Sequence, residues 1–110
     1  MISTILSTEL HVLNTCAEMV RDWELEHVAD ELDEMTDVLE EIRDDVLNVD
    51  FDKKVAFDVL CKLVRSLRAV ESFMRDNECA AMADTLKEIH GNLLAAADSM
   101  TYEEENNNGI

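Results

Sequence analysis

Apolar residues recur along this chain at alternating steps of three and four, which places them on one face of an α-helix. Four such stripes follow one another. They are Leu6, Leu10, Leu13, Ala17 and Val20; Leu25, Val28, Leu32, Met35, Leu39, Ile42 and Val46; Ala56, Leu60, Leu63, Leu67, Val70 and Met74; and Cys79, Met82, Leu86, Ile89, Leu93, Ala96 and Met100. The pattern predicts four amphipathic helices.

The first and third stripes are each followed by a step of five residues, which carries the tetrapeptide Arg-Asp-x-Glu at 21–24 and at 75–78. Five residues rotate a helical face by about 140°, so one continuous helix could not keep both stripes buried. The chain must therefore turn at both places. We expect the Arg to end one helix, Asp22 and Asp76 to cap the next, and the Glu to lie in its first turn.

The two halves of the chain also resemble each other. Shifting the sequence by 54 residues aligns positions 12–44 with 66–98, and the stripe of the second helix matches that of the fourth. The ten identical pairs are Leu13/Leu67, Arg21/Arg75, Asp22/Asp76, Glu24/Glu78, Ala29/Ala83, Asp30/Asp84, Leu32/Leu86, Glu34/Glu88, Leu39/Leu93 and Asp44/Asp98. Two unrelated hairpins would share the apolar spacing but not Arg-Asp-x-Glu. We interpret the chain as a duplicated helical hairpin.

Residues 47–52 join the two hairpins, and Asp50 or Asp52 can cap the third helix there. At the other end of the chain, residues 101–110 contain three Glu and three Asn and have no apolar face. We expect this segment to be a disordered acidic tail.

These features predict an all-α protein, an antiparallel four-helix bundle formed by two similar hairpins. The single domain covers residues 1–100, with hairpins at about 3–48 and 51–100. The composition agrees, because 110 residues with no Pro and two Gly suit one domain of long helices. A bundle assembled from hairpins of two chains, and so a homodimer, is the alternative that the sequence leaves open.

The three cysteines, Cys16, Cys61 and Cys79, form no C-x-x-C motif. An odd count at this spacing does not fit a disulfide framework or a zinc knuckle, and reduced thiols are typical of a cytoplasmic protein. The first 13 residues lack the basic start of a signal peptide, and no apolar run has the length of a membrane span. We therefore expect a cytoplasmic location.

The net charge of −17 comes from 26 acidic residues against nine basic ones. Residues 1–52 contain sixteen acids and two arginines, a net charge of −14, whereas the charges of residues 53–100 balance. Such a charge excludes direct binding of nucleic acid through a basic surface and disfavours an anionic membrane. The excess belongs to the first hairpin.

Ten carboxylates of the second helix form two rows, Glu26, Asp30, Asp33, Asp37, Glu40 and Asp44 in the first and Glu31, Glu34, Glu41 and Asp45 in the second. They place about one net charge on every 3 Å of helix, close to the charge spacing of a nucleic-acid strand. A solvated helix face is the ordinary alternative, but like charges four residues apart destabilise a helix by about 0.2–0.5 kcal/mol per pair. Lys62, Arg65 and Arg68 of the third helix offer at most partial neutralisation.

Signals for catalysis are weak. Glu24-x-x-His27 has the spacing of a di-metal carboxylate site, yet such a site needs the motif on two helices, and the repeat places Ala81 opposite His27. His90 lies on a predicted helix, and the residues that follow it, Asn92 to Ala95, supply no cation to hold a phosphoryl group. We expect no enzyme, no cofactor and no metal site, with a metal or phosphotransfer enzyme as the weakest alternative.

The remaining hypothesis is a non-enzymatic module that binds a basic protein, and we expect that partner to act on nucleic acid. Its charge and composition resemble those of DNA-mimic and nuclease-immunity inhibitors in general. Trp23, in the first turn, either packs over the end of the bundle or anchors the partner. The expected partner-binding residues are Trp23, Glu26, Asp30, Asp33, Glu34, Asp37, Glu40, Glu41, Asp44 and Asp45. The alternative is an assembly or chaperone-like protein that pairs through apolar helix faces.

Overall fold

The computed structural model describes residues 2–48 and 50–100, and beyond them only the backbone of the last helix. The four helices are α1 (Ile2–Asp22), α2 (Glu26–Asp45), α3 (Lys53–Asp76) and α4 (Ala80–Asn108). The tail predicted at 101–110 lies outside the residues described in full, so its disorder stays a prediction. No helix in the described part of the chain combines the length and the apolar character that a membrane span requires.

The four helices of one chain form the predicted bundle. Helix α1 packs against both α2 and α4, and α3 packs against α4, whereas α2 and α3 make few contacts. The hairpins are therefore joined mainly along α1 and α4. The all-α, four-helix prediction is confirmed.

The predicted stripes form the core. Leu13, Leu32, Leu60 and Leu86, one from each helix, are completely buried. Four stripe positions are only half-buried, namely Leu10, Leu25, Val46 and Cys79. Five further apolar residues beside the stripes are buried, namely Cys16, Ala29, Val64, Ala83 and Ala97. The buried face of each helix is thus wider than the stripe of threes and fours.

The first hairpin turn ends α1 with a Schellman motif. The N–H of Leu25 donates to the carbonyl of Val20 at 3.0 Å, and the N–H of Glu24 donates to that of Arg21 at 3.0 Å. Glu24 has a φ of 64°, in the left-handed region that this motif requires. The turn therefore satisfies carbonyls that the end of α1 would otherwise leave unpaired.

The second hairpin turn has the same structure. The N–H of Cys79 donates to the carbonyl of Met74 at 2.8 Å, and the N–H of Glu78 donates to that of Arg75 at 3.2 Å. The φ of Glu78 is also 64°. The repeated tetrapeptide thus encodes the end of a helix, twice.

The capping role expected for Asp22 and Asp76 is wrong. These aspartates are the last residues of α1 and α3, and Glu24 lies in the turn and not in the first turn of α2. Leu25 occupies the N-cap position of α2 and makes no side-chain capping bond. The reason is that the Schellman bonds extend the outgoing helix through the aspartate.

The joint between the hairpins does contain a side-chain cap. Of the two aspartates considered, Asp52 is the N-cap of α3. Its Oδ1 accepts hydrogen bonds from the N–H groups of Lys54 at 3.0 Å and Val55 at 3.2 Å.

An ion pair joins the two helices of each hairpin across its turn. Arg21 Nη2 lies 3.1 Å from Asp30 Oδ1, and Arg75 Nη2 lies 3.2 Å from Asp84 Oδ1. The arginine and the aspartate of this ion pair are both identical in the two halves of the chain. The repeat therefore preserves a contact as well as a turn.

Two buried polar groups connect neighbouring helices. Asn92 Nδ2 donates to Glu9 Oε1 at 2.8 Å between α4 and α1, and His90 Nε2 lies 2.7 Å from Glu71 Oε1 between α4 and α3. Burial raises the pKa of the Glu9 carboxyl; the Asn92 bond opposes this change and the charge of Glu88 adds to it. The hydrogen bond with His90 lowers the pKa of Glu71.

The left-handed glutamates give a first prediction. A side chain at positive φ is strained and glycine is not, so Glu24→Gly and Glu78→Gly should each raise the free energy of unfolding by about 0.5–1 kcal/mol. Urea denaturation followed by circular dichroism measures this. Asp76→Gly, at a helical position, is the control and should be destabilising by a similar amount. A loss of stability in both glutamate variants would contradict the turn assignment.

The buried Glu9 gives a second prediction. Because its pKa is raised on folding, the folded state binds this proton more tightly, and its contribution to stability is lost as pH rises through the raised value. Glu9→Gln keeps an acceptor for Asn92 and removes the charge, so it should be at least as stable as the wild type at pH 7. The difference should grow with pH from about 4 upward in urea denaturation. Glu18→Gln, exposed on the same helix, should show no such trend.

Candidate protein-binding groove

The two acidic rows lie on different sides of α2. The first row faces α1 and solvent, as its contacts with Arg21 of α1 show. Members of the second row instead line a groove that faces α3. The helical repeat accounts for this separation, because the two rows are offset by roughly one quarter of a turn.

Arg21 holds one end of the first row. Its Nη2 donates to Asp30 at 3.1 Å and to Asp33 at 3.0 Å, and its Nε lies 3.9 Å from Glu26. The hydrogen bond with Asp33 is the main reason why the pKa of Arg21 is raised. These three carboxylates are therefore partly neutralised within the protein.

Arg43 holds the other end of the first row. Its Nη2 lies 3.2 Å from Asp44 and 3.7 Å from Glu40. Asp37, between these two groups, forms no ion pair among the residues described, and its side chain is exposed. A single unpaired charge remains in the middle of the first row.

The second row is less neutralised. His27 Nε2 lies 3.7 Å from Glu31, and this contact is ionic only when the imidazole is protonated. Glu34, Glu41 and Asp45 are exposed and have no ion-pair partner within the described part of the chain. Three of its four carboxylates thus have no cationic partner among the described residues.

Helix α3 does not neutralise either row. Lys62 lies across the groove from Glu31 and Glu34, yet no ion pair within 4.0 Å joins them among the described residues. Arg65 and Arg68 are exposed and likewise form none there. The partial neutralisation considered from the sequence is absent from this part of the chain.

The groove exists because α2 and α3 make few contacts. It consists of two adjoining depressions, of about 800 and 460 Å³, which share Val38 of α2 and Val59 of α3. The larger one extends to the joint at Asp50 and Phe51, and the smaller one to Ala69. Residues 31–45 of α2 border it, a length of about 21 Å.

The floor and walls of the groove differ in chemistry. Buried apolar side chains form the floor, and Val38 and Val59 are half-buried in its middle. The α2 wall carries the second acidic row. The α3 wall consists of small or apolar residues and one lysine, namely Val55, Lys62, Ser66 and Ala69. Val55 is 56% exposed, so this wall is open to solvent.

Trp23 lies in the turn that precedes α2 and is 46% exposed. It is adjacent in sequence to the acidic helix and accessible to a partner. Its repeat counterpart is Asn77. The aromatic side chain is therefore particular to the acidic hairpin.

The remaining candidates for chemistry are separate from this groove. Glu24 is in the turn and His27 in α2, so their motif does not lie on one helix. Among the described residues, no cluster of three or more His, Cys, Asp or Glu could hold a metal ion. Cys16 is buried, and burial raises the pKa of its thiol. His90 is hydrogen-bonded to Glu71 through Nε2.

The acidic rows were predicted from the sequence, whereas the groove was not. A signal was present in Val55 and Val59, which lie four residues apart outside the core stripe of the third helix. No protein-family model, curated protein or solved structure matches this chain.

The unpaired carboxylates give a third prediction. The four are Asp37 of the first row and Glu34, Glu41 and Asp45 of the second. Neutralising them removes like-charge pairs such as Asp37/Glu41 and Glu41/Asp45, so the free energy of unfolding at low salt should rise by about 1 kcal/mol. The variant is Glu34→Gln, Asp37→Asn, Glu41→Gln and Asp45→Asn. Its stability should also depend less on salt than that of the wild type, in urea denaturation at about 50 and 500 mM NaCl.

The control removes four carboxylates that already have arginine partners. It is Glu26→Gln, Asp30→Asn, Asp33→Asn and Asp44→Asn. It should give no gain in stability, because each removed repulsion is offset by a lost ion pair. Equal gains in both variants would contradict the distinction between paired and unpaired acids.

Proposed function

We propose that this protein is a non-enzymatic binding module whose acidic helix α2 occupies a basic surface of another protein. The observation that carries the proposal is the set of four exposed carboxylates without an ion-pair partner among the described residues, namely Glu34, Asp37, Glu41 and Asp45. Like charges at this spacing reduce the stability of the helix that carries them. A cationic partner removes that repulsion on binding, and the gain favours the complex.

The charge spacing favours a partner that acts on nucleic acid. About one net charge on every 3 Å of α2 approaches the spacing of phosphates along one strand. A rigid helix with this spacing can compete for a surface that binds a phosphate backbone. The proposed role is therefore that of an inhibitor, which displaces nucleic acid from its partner.

Exposed apolar residues support a second candidate, an assembly or chaperone-like protein. Leu47 is 70% exposed, Val55 56% and Phe73 44%. Such residues suit pairing with another helix. This function predicts binding that is insensitive to salt, whereas an acidic inhibitor predicts binding that weakens with salt.

The fourth prediction concerns partner capture from the native host. The wild type and a variant with Glu34→Lys, Asp37→Lys, Glu41→Lys and Asp45→Lys serve as baits at about 50 and 500 mM NaCl. The variant keeps every acid that pairs with Arg21 or Arg43, so its fold should be at least as stable. Proteins held only by the wild type, and only at low salt, are the expected partners.

Each captured protein is then purified and tested directly. Adding the wild-type protein should displace a labelled oligonucleotide from it, and the lysine variant should fail to do so. Identical capture by both baits would overturn the proposal. Salt-insensitive capture that survives the lysine substitutions would favour the assembly function instead.

A further inference from the structure

The α2–α3 groove combines features that a plain acidic surface lacks. Its floor is apolar, with the half-buried Val38 and Val59 at the centre. One wall carries Glu34, Glu41 and Asp45, each without an ion-pair partner in the described part of the chain. The opposite wall offers small or apolar side chains. Its occupant should therefore be apolar on one face and cationic along one flank.

We infer that this groove binds an amphipathic basic helix of the partner protein, with its apolar face on the floor and its Lys or Arg side chains along the α2 wall. This inference rests on the proposed function, since it specifies the part of the partner that the acidic helix recognises.

The dimensions of the groove suit a helix. Its border on α2 is about 21 Å long, which equals about 14 residues or four helical turns. Helices dock into such grooves through apolar residues three and four apart. An extended peptide would alternate its side chains and present only every second one to a single apolar floor.

Charge complementarity selects the occupant. A second copy of this chain also carries a net charge of −17, so two copies repel each other as they approach. Lys62 is the only cation among the residues that line the groove. A basic helix instead supplies the positive charges that the α2 wall lacks.

The fifth prediction uses a defined probe, a fluorescein-labelled 14-residue peptide with Leu at helical steps of three and four and Lys elsewhere. The comparison peptide has the same composition with its leucines scrambled, so its charge is equal but its apolar face is lost. Fluorescence anisotropy should show that the full-length protein binds the amphipathic peptide at least about tenfold more tightly.

Two matched serine variants test the location. Ser66 and Ser72 are both exposed on α3, but only Ser66 lines the groove. Ser66→Trp should abolish the preference for the amphipathic peptide, and Ser72→Trp should preserve it. Circular dichroism checks that both variants keep the fold.

Two matched charge variants test the wall. Glu34→Gln, Glu41→Gln and Asp45→Asn should weaken binding of the amphipathic peptide by about tenfold or more. Glu26→Gln, Asp37→Asn and Asp44→Asn remove the same charge from the first row and should have a smaller effect. Equal effects would contradict recognition by the groove wall.

Other outcomes overturn the inference in distinguishable ways. Equal, salt-sensitive binding of both peptides would reject the groove and leave the acidic-surface proposal standing. No salt-sensitive binding of either peptide would count against both. A dimer in sedimentation that Ser66→Trp dissociates would show that a second copy occupies the groove, and would also overturn the inference.

Discussion

The packing of α1 against α4 is the contact on which the rest of the structure depends. Each hairpin buries its own stripe, but the hairpins are joined mainly along these two helices, because α2 and α3 make few contacts. Asn92 donates a hydrogen bond to Glu9 within this contact. The groove between α2 and α3 is the open side of the same bundle.

The repeat explains why one side closes and the other stays open. Shifting by 54 residues relates α1 to α3 and α2 to α4, so the α2–α3 groove is the counterpart of the α1–α4 contact. Two residue pairs support this equivalence. Val38 and Leu63 line the groove, and their counterparts in the repeat, Asn92 and Glu9, are hydrogen-bonded between α4 and α1. At the walls, however, Glu31, Glu41 and Asp45 correspond to Thr85, Ala95 and Ser99, and only Glu34 corresponds to an acid, the identical Glu88. Small or uncharged side chains allow helices to approach, whereas closing the groove would bury unpaired carboxylates at a large cost.

The four helices and most of the core could be predicted because both depend on spacing within a single helix. Cys16, Ala29 and Val64 were missed, since their burial depends on how far a neighbouring helix covers the stripe. The prediction that Asp22 caps α2 was wrong for a similar reason. The tetrapeptide Arg-Asp-x-Glu is compatible with the start or the end of a helix, and only the backbone hydrogen bonds of the turn distinguish the two. Val55 and Val59 indicate apolar surface outside the core stripe of α3, but the groove also depends on the distance between α2 and α3, which no residue pattern specifies.

In the proposed complex, the acidic wall and the apolar floor contribute to different stages of binding. Exposed carboxylates such as Glu34 and Asp45 act over distances near the Debye length, so they mainly raise the rate at which a cationic partner arrives and aligns. Apolar contact at Val38 and Val59 requires close approach, so it mainly slows dissociation. A surface with charge alone would bind many basic proteins and release them quickly. Placing the charge beside an apolar groove restricts binding to a partner that presents both features in register, and this makes the groove the better determinant of specificity.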